Sequence, residues 1–343
     1  MSLKIITHNV QGFNSPIKRK KAFTYYASTH ADVLLLQETH FSKTSFPKFL
    51  HKKFTKAFMA NSDTKTKGVA ICFRTGLAVQ IIDKYEDPEG RFLALKVQID
   101  SIKLTLVSYY APNIAQYRFF EQLAAFISNW AEGELIIGGD SNATLDKYWD
   151  RQAIVPLKNS ISANTEGGKI SKLCGSMGWI DIWRETHPGV KQYTHYSAPF
   201  KLYTRIDHIW VSQGLLSLSQ SPKILVTPWS DHSPVSHKIR TQTIPKTYAR
   251  WYMNEILIKT PAYFTQIETL LKDYFANNVG SIPSYATIWE AHKAVIRGYL
   301  IQQGAYRKKL QNSESERLTK ILDQRLNLLT PRLIFLIKSI KLK

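Results

Sequence analysis

Apolar residues recur over the first 240 positions in short runs separated by polar and turn-forming stretches. The runs at 3–10, 32–39, 68–73, 77–82, 92–99, 103–110, 134–138, 205–211 and 237–240 are rich in Val, Ile and Tyr. Several alternate, as in Leu93-Ala94-Leu95-Lys96-Val97-Gln98-Ile99, and such runs predict strands. Helical spacing is rarer. It appears at 17–29, at 169–177 and at 116–130, where Phe119, Leu123, Phe126, Ile127 and Trp130 share one stripe. Strands that cluster without a helix after each one argue against a barrel of alternating βα units and for mixed sheets flanked by helices. Past residue 240 the texture changes. A Thr/Pro stretch at 241–248 reads as a linker, followed by helical spacing through Tyr263, Ile267, Leu270, Leu271 and Tyr274, then 289–306 and 318–329. The expectation is an α/β domain at 1–240 and a basic α-helical segment at 241–343.

Charge adds a partner to this outline. Forty-six Lys and Arg oppose 26 Asp and Glu, a formal +20. From Arg240 onward 17 basic residues face 7 acidic ones, so less than a third of the chain carries half of the excess. A basic surface of this size favours a polyanion through counterion release, which makes nucleic acid the first partner to consider. Cys72 and Cys174, the two cysteines, lie far apart in sequence, which speaks against a disulfide framework or a zinc cluster. The first residues lack the apolar core of a signal peptide, and the late apolar stretch at 333–342 is far shorter than the ~20 residues that span a bilayer. The expected setting is nuclear or cytoplasmic, neither secreted nor in a membrane.

Six short motifs stand at the ends of the predicted strands: Thr7-His8-Asn9-Val10-Gln11-Gly12, Leu36-Gln37-Glu38-Thr39, Tyr109-Tyr110-Ala111-Pro112-Asn113, Ile137-Gly138-Gly139-Asp140-Ser141-Asn142, Tyr203-Thr204-Arg205-Ile206-Asp207-His208 and Trp229-Ser230-Asp231-His232-Ser233-Pro234. Taken singly, each is an ordinary turn former. Together they offer oxygen ligands for a hard dication, a carboxylate for a hydrolytic water, a His–Asp pair, and amide and phenol donors for phosphate oxygens. Phosphodiester hydrolysis depends on positioning and on neutralising the charge of the transition state, and these residue types supply both. No Gly-x-x-x-x-Gly-Lys-Ser/Thr loop points to an NTPase.

In this order the motifs resemble the exonuclease–endonuclease–phosphatase superfamily, which includes abasic-site endonucleases, exonuclease III, DNase I and phosphoinositide phosphatases. The resemblance covers roughly residues 1–240. It implies a DNase I-like four-layered α/β sandwich, two mixed sheets flanked by helices, with the α-helical segment as an extension. It further implies that Glu38 is the main ligand of Mg²⁺ (with Mn²⁺ as a substitute), with Asn9 beside it and Asp231 assisting. Asp140 would activate the attacking water, and Asn142 would hold that water or a phosphate oxygen. His232, oriented by Asp207, would donate to the scissile phosphate, and Tyr110 and Asn113 would bind it. The products would be a 3′-hydroxyl and a 5′-phosphate.

Within the same set, Tyr193-Thr194-His195-Tyr196-Ser197-Ala198-Pro199 and Tyr203-Thr204-Arg205-Ile206-Asp207-His208 resemble the hairpin region of LINE retrotransposon endonucleases. The segments 289–298 and 305–309 resemble the region that follows the endonuclease in those polyproteins. With no Tyr-x-Asp-Asp polymerase motif, the chain is expected to be the front end of such a polyprotein, a target-site endonuclease acting on double-stranded DNA as a monomer. Thr194, His195, Tyr196, Lys201 and Arg205 are the expected DNA contacts of the hairpin, which would enter the minor groove at deformable steps. Lys18 and Arg19 would meet phosphate at a helix start, and the basic C-terminal segment is a candidate for RNA. Two departures stand out. Gln11 occupies a position that repair enzymes fill with an acid, and Ser141 one that is normally large and apolar, so a packing defect is expected there. An abasic-site repair nuclease and a decayed copy that binds DNA without cutting remain the alternatives.

Overall fold

The computed structural model describes residues 2–47, 51–153, 166–241, 253, 255–281 and 284–340. The linker expected at 241–248 lies, past Thr241, outside the described residues. Two units emerge, Met1–Pro245 and Lys246–Lys343.

The first unit is built on two six-stranded mixed sheets. One runs β14 (Ser219–Ile224), β15 (Val235–Arg240), β1 (Ser2–Asn9), β2 (Val33–Gln37), β4 (Val69–Phe73), β3 (Lys56–Ala60). The other runs β10 (Ile180–Asp181), β13 (Asp207–Val211), β8 (Glu134–Asp140), β7 (Ile102–Tyr110), β6 (Phe92–Ile99), β5 (Val79–Glu86). Their facing sides merge into one core in which Ile5, Leu35 and Ile71 meet Leu95, Leu106, Ile136 and Ile209. The outer faces are buried too. Ile6, Leu34 and Leu36 pack under Phe23 and Tyr26 of α1 (Pro16–Ser28). Val107 and Ile137 pack under Phe120, Leu123 and Ile127 of α2 (Gln116–Trp130) and under Ile170 and Cys174 of α3 (Glu166–Ser176). Successive residues of a strand point to opposite faces, so a strand covered on both sides must be apolar at nearly every position. The unbroken runs Ile5-Ile6 and Leu34-Leu35-Leu36 follow from that requirement, and the result is the four-layered α/β sandwich.

The strands that the apolar pattern did not predict are edge or very short ones. β3 and β14 close the two edges of the first sheet, and β14 contains Pro222, which an edge strand tolerates because one side needs no ladder donor. A third, small sheet, β11 (His195–Ser197), β12 (Leu202–Thr204) and β9 (Arg151–Ala153), contains the expected hairpin and adds β9 to it. The helix α4 (Ile182–Thr186) begins at Asp181, whose carboxylate accepts from the Trp183 and Arg184 amides.

In the second unit, α5 (Glu255–Lys259) and α6 (Pro261–Asn278) accompany α7 (Tyr285–Ile340), one continuous helix where two segments were expected. Leu257, Ile288 and Leu300 are buried, and Tyr274 donates to the Ile288 carbonyl at 3.0 Å. Among the described residues no helix is long and apolar enough to cross a membrane.

Candidate active site

Strand direction brings the motifs together. β1 and β2 are parallel with Asn9 opposite Gln37, so their C-terminal ends present Asn9 and Glu38 side by side. β7 and β8 are likewise parallel, with Tyr110 opposite Asp140. β13 runs against β8 and starts where β8 ends, which sets Asp207 opposite Asp140. β15 starts opposite Thr7, so the turn carrying Asp231 and His232 arrives at the same edge. Two glycines permit this closeness: a Cβ on Gly139 would stand 2.1 Å from the Tyr109 carbonyl oxygen, and one on Gly138 would stand 2.6 Å from Leu35 of the facing sheet.

At the centre are Glu38, Asn9, Asp140, His232 and Asp207. The Asn9 amide donates to Glu38 Oε1 at 2.8 Å and to Asp140 Oδ2 at 2.9 Å, while its oxygen accepts from the Gln11 N–H at 3.0 Å. Asn9 therefore spaces two carboxylates. Expected beside Glu38 as a metal ligand, it turns its NH₂ to that carboxylate. Burial raises the cost of charge on Glu38, but hydrogen bonds from His40, Asn9 and Tyr110 outweigh it and hold the carboxyl down at about 2. An anionic carboxylate with oxygen neighbours suits a hard dication such as Mg²⁺.

Asp140 is the opposite case. It is fully buried and pushed up to about 7, first by burial and then by Asp207, against the pull of His232 and of the Asn142 and Asn9 hydrogen bonds. His232 Nδ1 lies 2.8 Å from Asp207 Oδ2, and its Nε2 is 3.9 Å from Asp140 Oδ2. Burial works against a charged His232, yet Asp207 and Asp140 dominate and lift it to about 10, so the ring is an imidazolium at neutral pH. Asp207 is held below the usual carboxylate range: burial would raise it, but the attraction and hydrogen bond of His232 and a hydrogen bond from Thr194 prevail.

Tyr110 bonds Glu38 and Asn142 through its phenol, and Arg91 lies over its ring at 5.3 Å. The Asn142 amide donates to the Ala111 carbonyl at 2.8 Å, and Asn113 is exposed at the mouth. Gln11, Glu38 and Asn142 adopt left-handed φ of 48°, 51° and 47°, strained values that cluster at the site. Asp231 is exposed and accepts from Gln11 Nε2 at 3.2 Å. Lys18 is half-buried, donates to the Gln11 carbonyl, and is pulled upward electrostatically by Asp231 and Glu38 against burial, the stronger influence. Arg19 donates to the Phe13 and Asn14 carbonyls. Two sets of carboxylates and imidazoles, Asp140–Asp207–His232 and His195–Asp231–His232, have ligand atoms close enough to hold a metal ion. His232 belongs to both sets, so an ion bound in either one displaces its proton.

Two expected DNA contacts lie elsewhere. Arg205 is 1% exposed; its guanidinium binds Asp150 through Nε at 2.8 Å and Nη2 at 3.1 Å, and Asp181 through Nη1 at 2.7 Å. A side chain clamped by two buried acids cannot reach DNA; it fixes the loop 146–150 and β10 to the start of β13. Thr194 is also buried, and its hydroxyl accepts from the Ile206 and Asp207 amides, so it positions the strand that holds Asp207. Of the remaining hairpin residues, Lys201 is exposed at the turn, and Tyr196 lies against Tyr203 with centroids 4.6 Å apart and planes inclined by 35°. His195 lies against His232. The packing defect expected at Ser141 is absent, because its hydroxyl sits 2.8 Å from both the Ala143 and Ile206 carbonyls and satisfies itself in the interior.

Residues that motif reasoning passed over complete the frame. His8, fully buried and pushed down to about 3 chiefly by burial, bonds the His232 carbonyl at 3.1 Å and Tyr26 of α1. Ser230 donates to the Asn9 carbonyl at 2.8 Å and accepts from the His232 amide. His40 backs Glu38 at 3.2 Å. His8 and Ser230 stand inside the quoted motifs and His40 two residues beyond Glu38, so proximity in sequence was the available signal.

Known proteins place this geometry. Among curated proteins, the Xenopus laevis "Transposon TX1 uncharacterized 149 kDa protein" is 29% identical over 269 residues, covering 77% of this chain and 20% of that protein, so the chain spans about a fifth of its relative. Among solved structures, an AP endonuclease from Archaeoglobus fulgidus superposes with a TM-score of 0.57 at 21% identity, over 70% of this chain and 100% of that one. The AP endonuclease LMAP from Leishmania major gives 0.55 at 19%, over 70% and 88%. The 3′ phosphatase NExo from Neisseria, bound to product DNA hairpin, gives 0.57 at 20%, over 70% and 100%. A family profile matches residues 6–232, from the first strand to His232, and so takes in every strand end that builds the site: the chain belongs to the Endonuclease/Exonuclease/phosphatase family.

Proposed function

We propose that this chain is a Mg²⁺-dependent DNA endonuclease, with Mn²⁺ as a substitute, that hydrolyses a phosphodiester to leave a 3′-hydroxyl and a 5′-phosphate. The observation that carries the reading is the geometry of a fully buried Asp140 facing, at 3.9 Å, a His232 that Asp207 holds at 2.8 Å; burial pushes the first carboxyl up and the two carboxylates keep the imidazole protonated. A base poised near neutrality and an acid that keeps its proton are the two proton carriers that hydrolysis needs. Asp140 takes the proton of the attacking water, which Asn142 orients. The His232 imidazolium, held by Asp207, donates a hydrogen bond to a phosphoryl oxygen as charge develops; the new P–O bond forms as the P–O3′ bond breaks, and the departing 3′-oxygen takes its proton from solvent. Tyr110 donates to the same phosphate, and Glu38 would hold the cation, which when bound would neutralise charge on the phosphate.

Two substrates compete for this chemistry. Cleavage of an intact duplex at a transposon target is supported by the similarity to a transposon protein, which covers 77% of the chain. Cleavage beside an abasic site is supported by the AP endonucleases, one of them matched over its whole length, and it is the better-supported of the two. Nicking of supercoiled plasmid in Mg²⁺, with EDTA and the Glu38→Ala, His232→Ala double variant as controls, tests the hydrolase. Relaxation lost in both controls is the expected result, and binding without any nicking would leave only a DNA-binding remnant. A duplex carrying a single abasic analogue, run beside its intact counterpart, then separates the substrates. The basic second unit supplies further contacts to DNA or RNA in this reading.

A further inference from the structure

His232, the acid of the proposed hydrolysis, belongs to a ligand set whose other two members, His195 and Asp231, take no part in that reaction. The start of β11 is bridged antiparallel to the turn before β15, pairing His195 with His232, and the Ser233 amide donates to the Thr194 carbonyl at 2.6 Å. This register lays the two imidazoles against each other, with centroids 4.6 Å apart and planes inclined by 37°. Asp231 completes a triangle. Its Oδ2 is 3.8 Å from His195 Nε2, and one donor atom from each of the three residues lies within 4.8 Å of the others.

The other nitrogen of each ring is already fixed. His232 Nδ1 is held by the Asp207 carboxylate at 2.8 Å, and His195 Nδ1 meets the Thr204 hydroxyl at 3.2 Å. Metal-binding histidines almost always have their second nitrogen held in this way, by a carboxylate or another polar group that sets the ring. We propose that His195, His232 and Asp231 form a second metal site, selective for a borderline transition-metal dication of the Zn²⁺ type, and that filling it switches the nuclease off.

Two imidazoles and one carboxylate leave a fourth position to water, a common ligand set for Zn²⁺ and a poor one for Mg²⁺, which demands oxygen in octahedral array. Zinc–ligand bonds of about 2.0–2.1 Å place tetrahedral donors roughly 3.4 Å apart. The triangle must therefore contract modestly, and the exposed Asp231 and half-buried His195 have room to move. The ion takes the place of one proton, which leaves His232 for solvent. Asp207 and Asp140, which attract that proton, attract a dication more strongly. His232 then has no hydrogen to give a phosphate, and the metal stands where the phosphate must approach.

The inhibitory half rests on the hydrolase reading; the binding half does not. Zn²⁺ is titrated against a chromogenic zinc indicator with the full chain in excess Mg²⁺ and no DNA, for the wild type and His195→Phe, which keeps a ring against His232 but removes the donor. The expected result is one tightly bound Zn²⁺ per chain, weakened by about 100-fold or more in the variant. Equal binding by both chains, or less than one ion per wild-type chain, overturns the site. Plasmid nicking is then followed against Zn²⁺, each protein normalised to its own zinc-free rate. The wild type should lose about tenfold or more of its rate at zinc levels that spare the variant. Stoichiometric binding with undiminished nicking overturns the switch, whereas a wild type that never nicks in Mg²⁺ alone sinks the hydrolase reading and leaves the binding comparison to decide the site.

Discussion

Asp140 and Asp207 face each other across β8 and β13, both fully buried, yet burial wins at Asp140 and His232 wins at Asp207. The hydrogen-bonded partner decides: Asp207 has the imidazolium at 2.8 Å and Asp140 has it only at 3.9 Å. The proposed hydrolysis requires Asp140 ionised and His232 protonated. The kcat/KM for nicking should rise as pH passes through about 7 and fall as it passes through about 10. Asp140→Asn should lower the rate by about 10³-fold and remove the acid limb from whatever activity remains. Because the raised pKa means that the folded state binds a proton more tightly than the unfolded chain, ionisation of Asp140 costs stability as pH rises from the unfolded carboxylate range through about 7. At pH 8 the Asn variant should thus melt no lower than the wild type; a lower Tm would contradict the burial argument. These protonation states were not readable from sequence, where Asp140 and Asp207 are the same letter. Ser141 illustrates the same blindness: a polar residue in a buried strand end looks like a defect until its two carbonyl neighbours are seen.

At the scale of elements, strand directions explain why so much of the site was legible. An apolar run ending in Asn, Glu or Asp marks both a strand and the end at which its polar residue emerges, and three such ends, at Asn9, Glu38 and Asp140, meet at the site. What the pattern could not give was which cationic residue faces outward. Arg205 lies beside Asp207 in an aromatic and basic stretch, and only the positions of Asp150 and Asp181, 55 and 24 residues away, reveal it as an interior clamp. Arg205→Lys keeps the charge but loses the fork that spans the two acids, and should cost about 2–4 kcal/mol of stability. DNA affinity of the folded variant should stay within about twofold. A large loss of affinity at unchanged Tm would restore Arg205 to the DNA surface. β3 and β14 escaped prediction because their faces are only partly covered, so neither run is uniformly apolar.

For the whole molecule, charge is unevenly spread, with half of the excess of +20 carried from Arg240 onward. Lys308 and Lys309 are exposed on α7 beside the half-buried Arg307. If this face meets phosphate, replacing all three with Ala should reduce the slope of log affinity against log salt by about 2–3, while nicking at saturating protein and low salt is retained. An unchanged slope would remove the second unit from the DNA-binding surface.

The pairing of β1 with β15 has a consequence for biosynthesis. Thr7 and Val235 sit side by side although 228 residues separate them, and Asp231 and His232 enter the site only through the turn before β15. On the proposed mechanism a nascent chain displays Glu38 and Asp140 long before it acquires its acid, and it should stay harmless to nucleic acid until the closing strand leaves the ribosome. Chains arrested at residue 230 should be inert toward plasmid, and chains released after residue 245 should cut. On that mechanism the order of synthesis acts as a safety catch, with β15 arming the site that β1 begins.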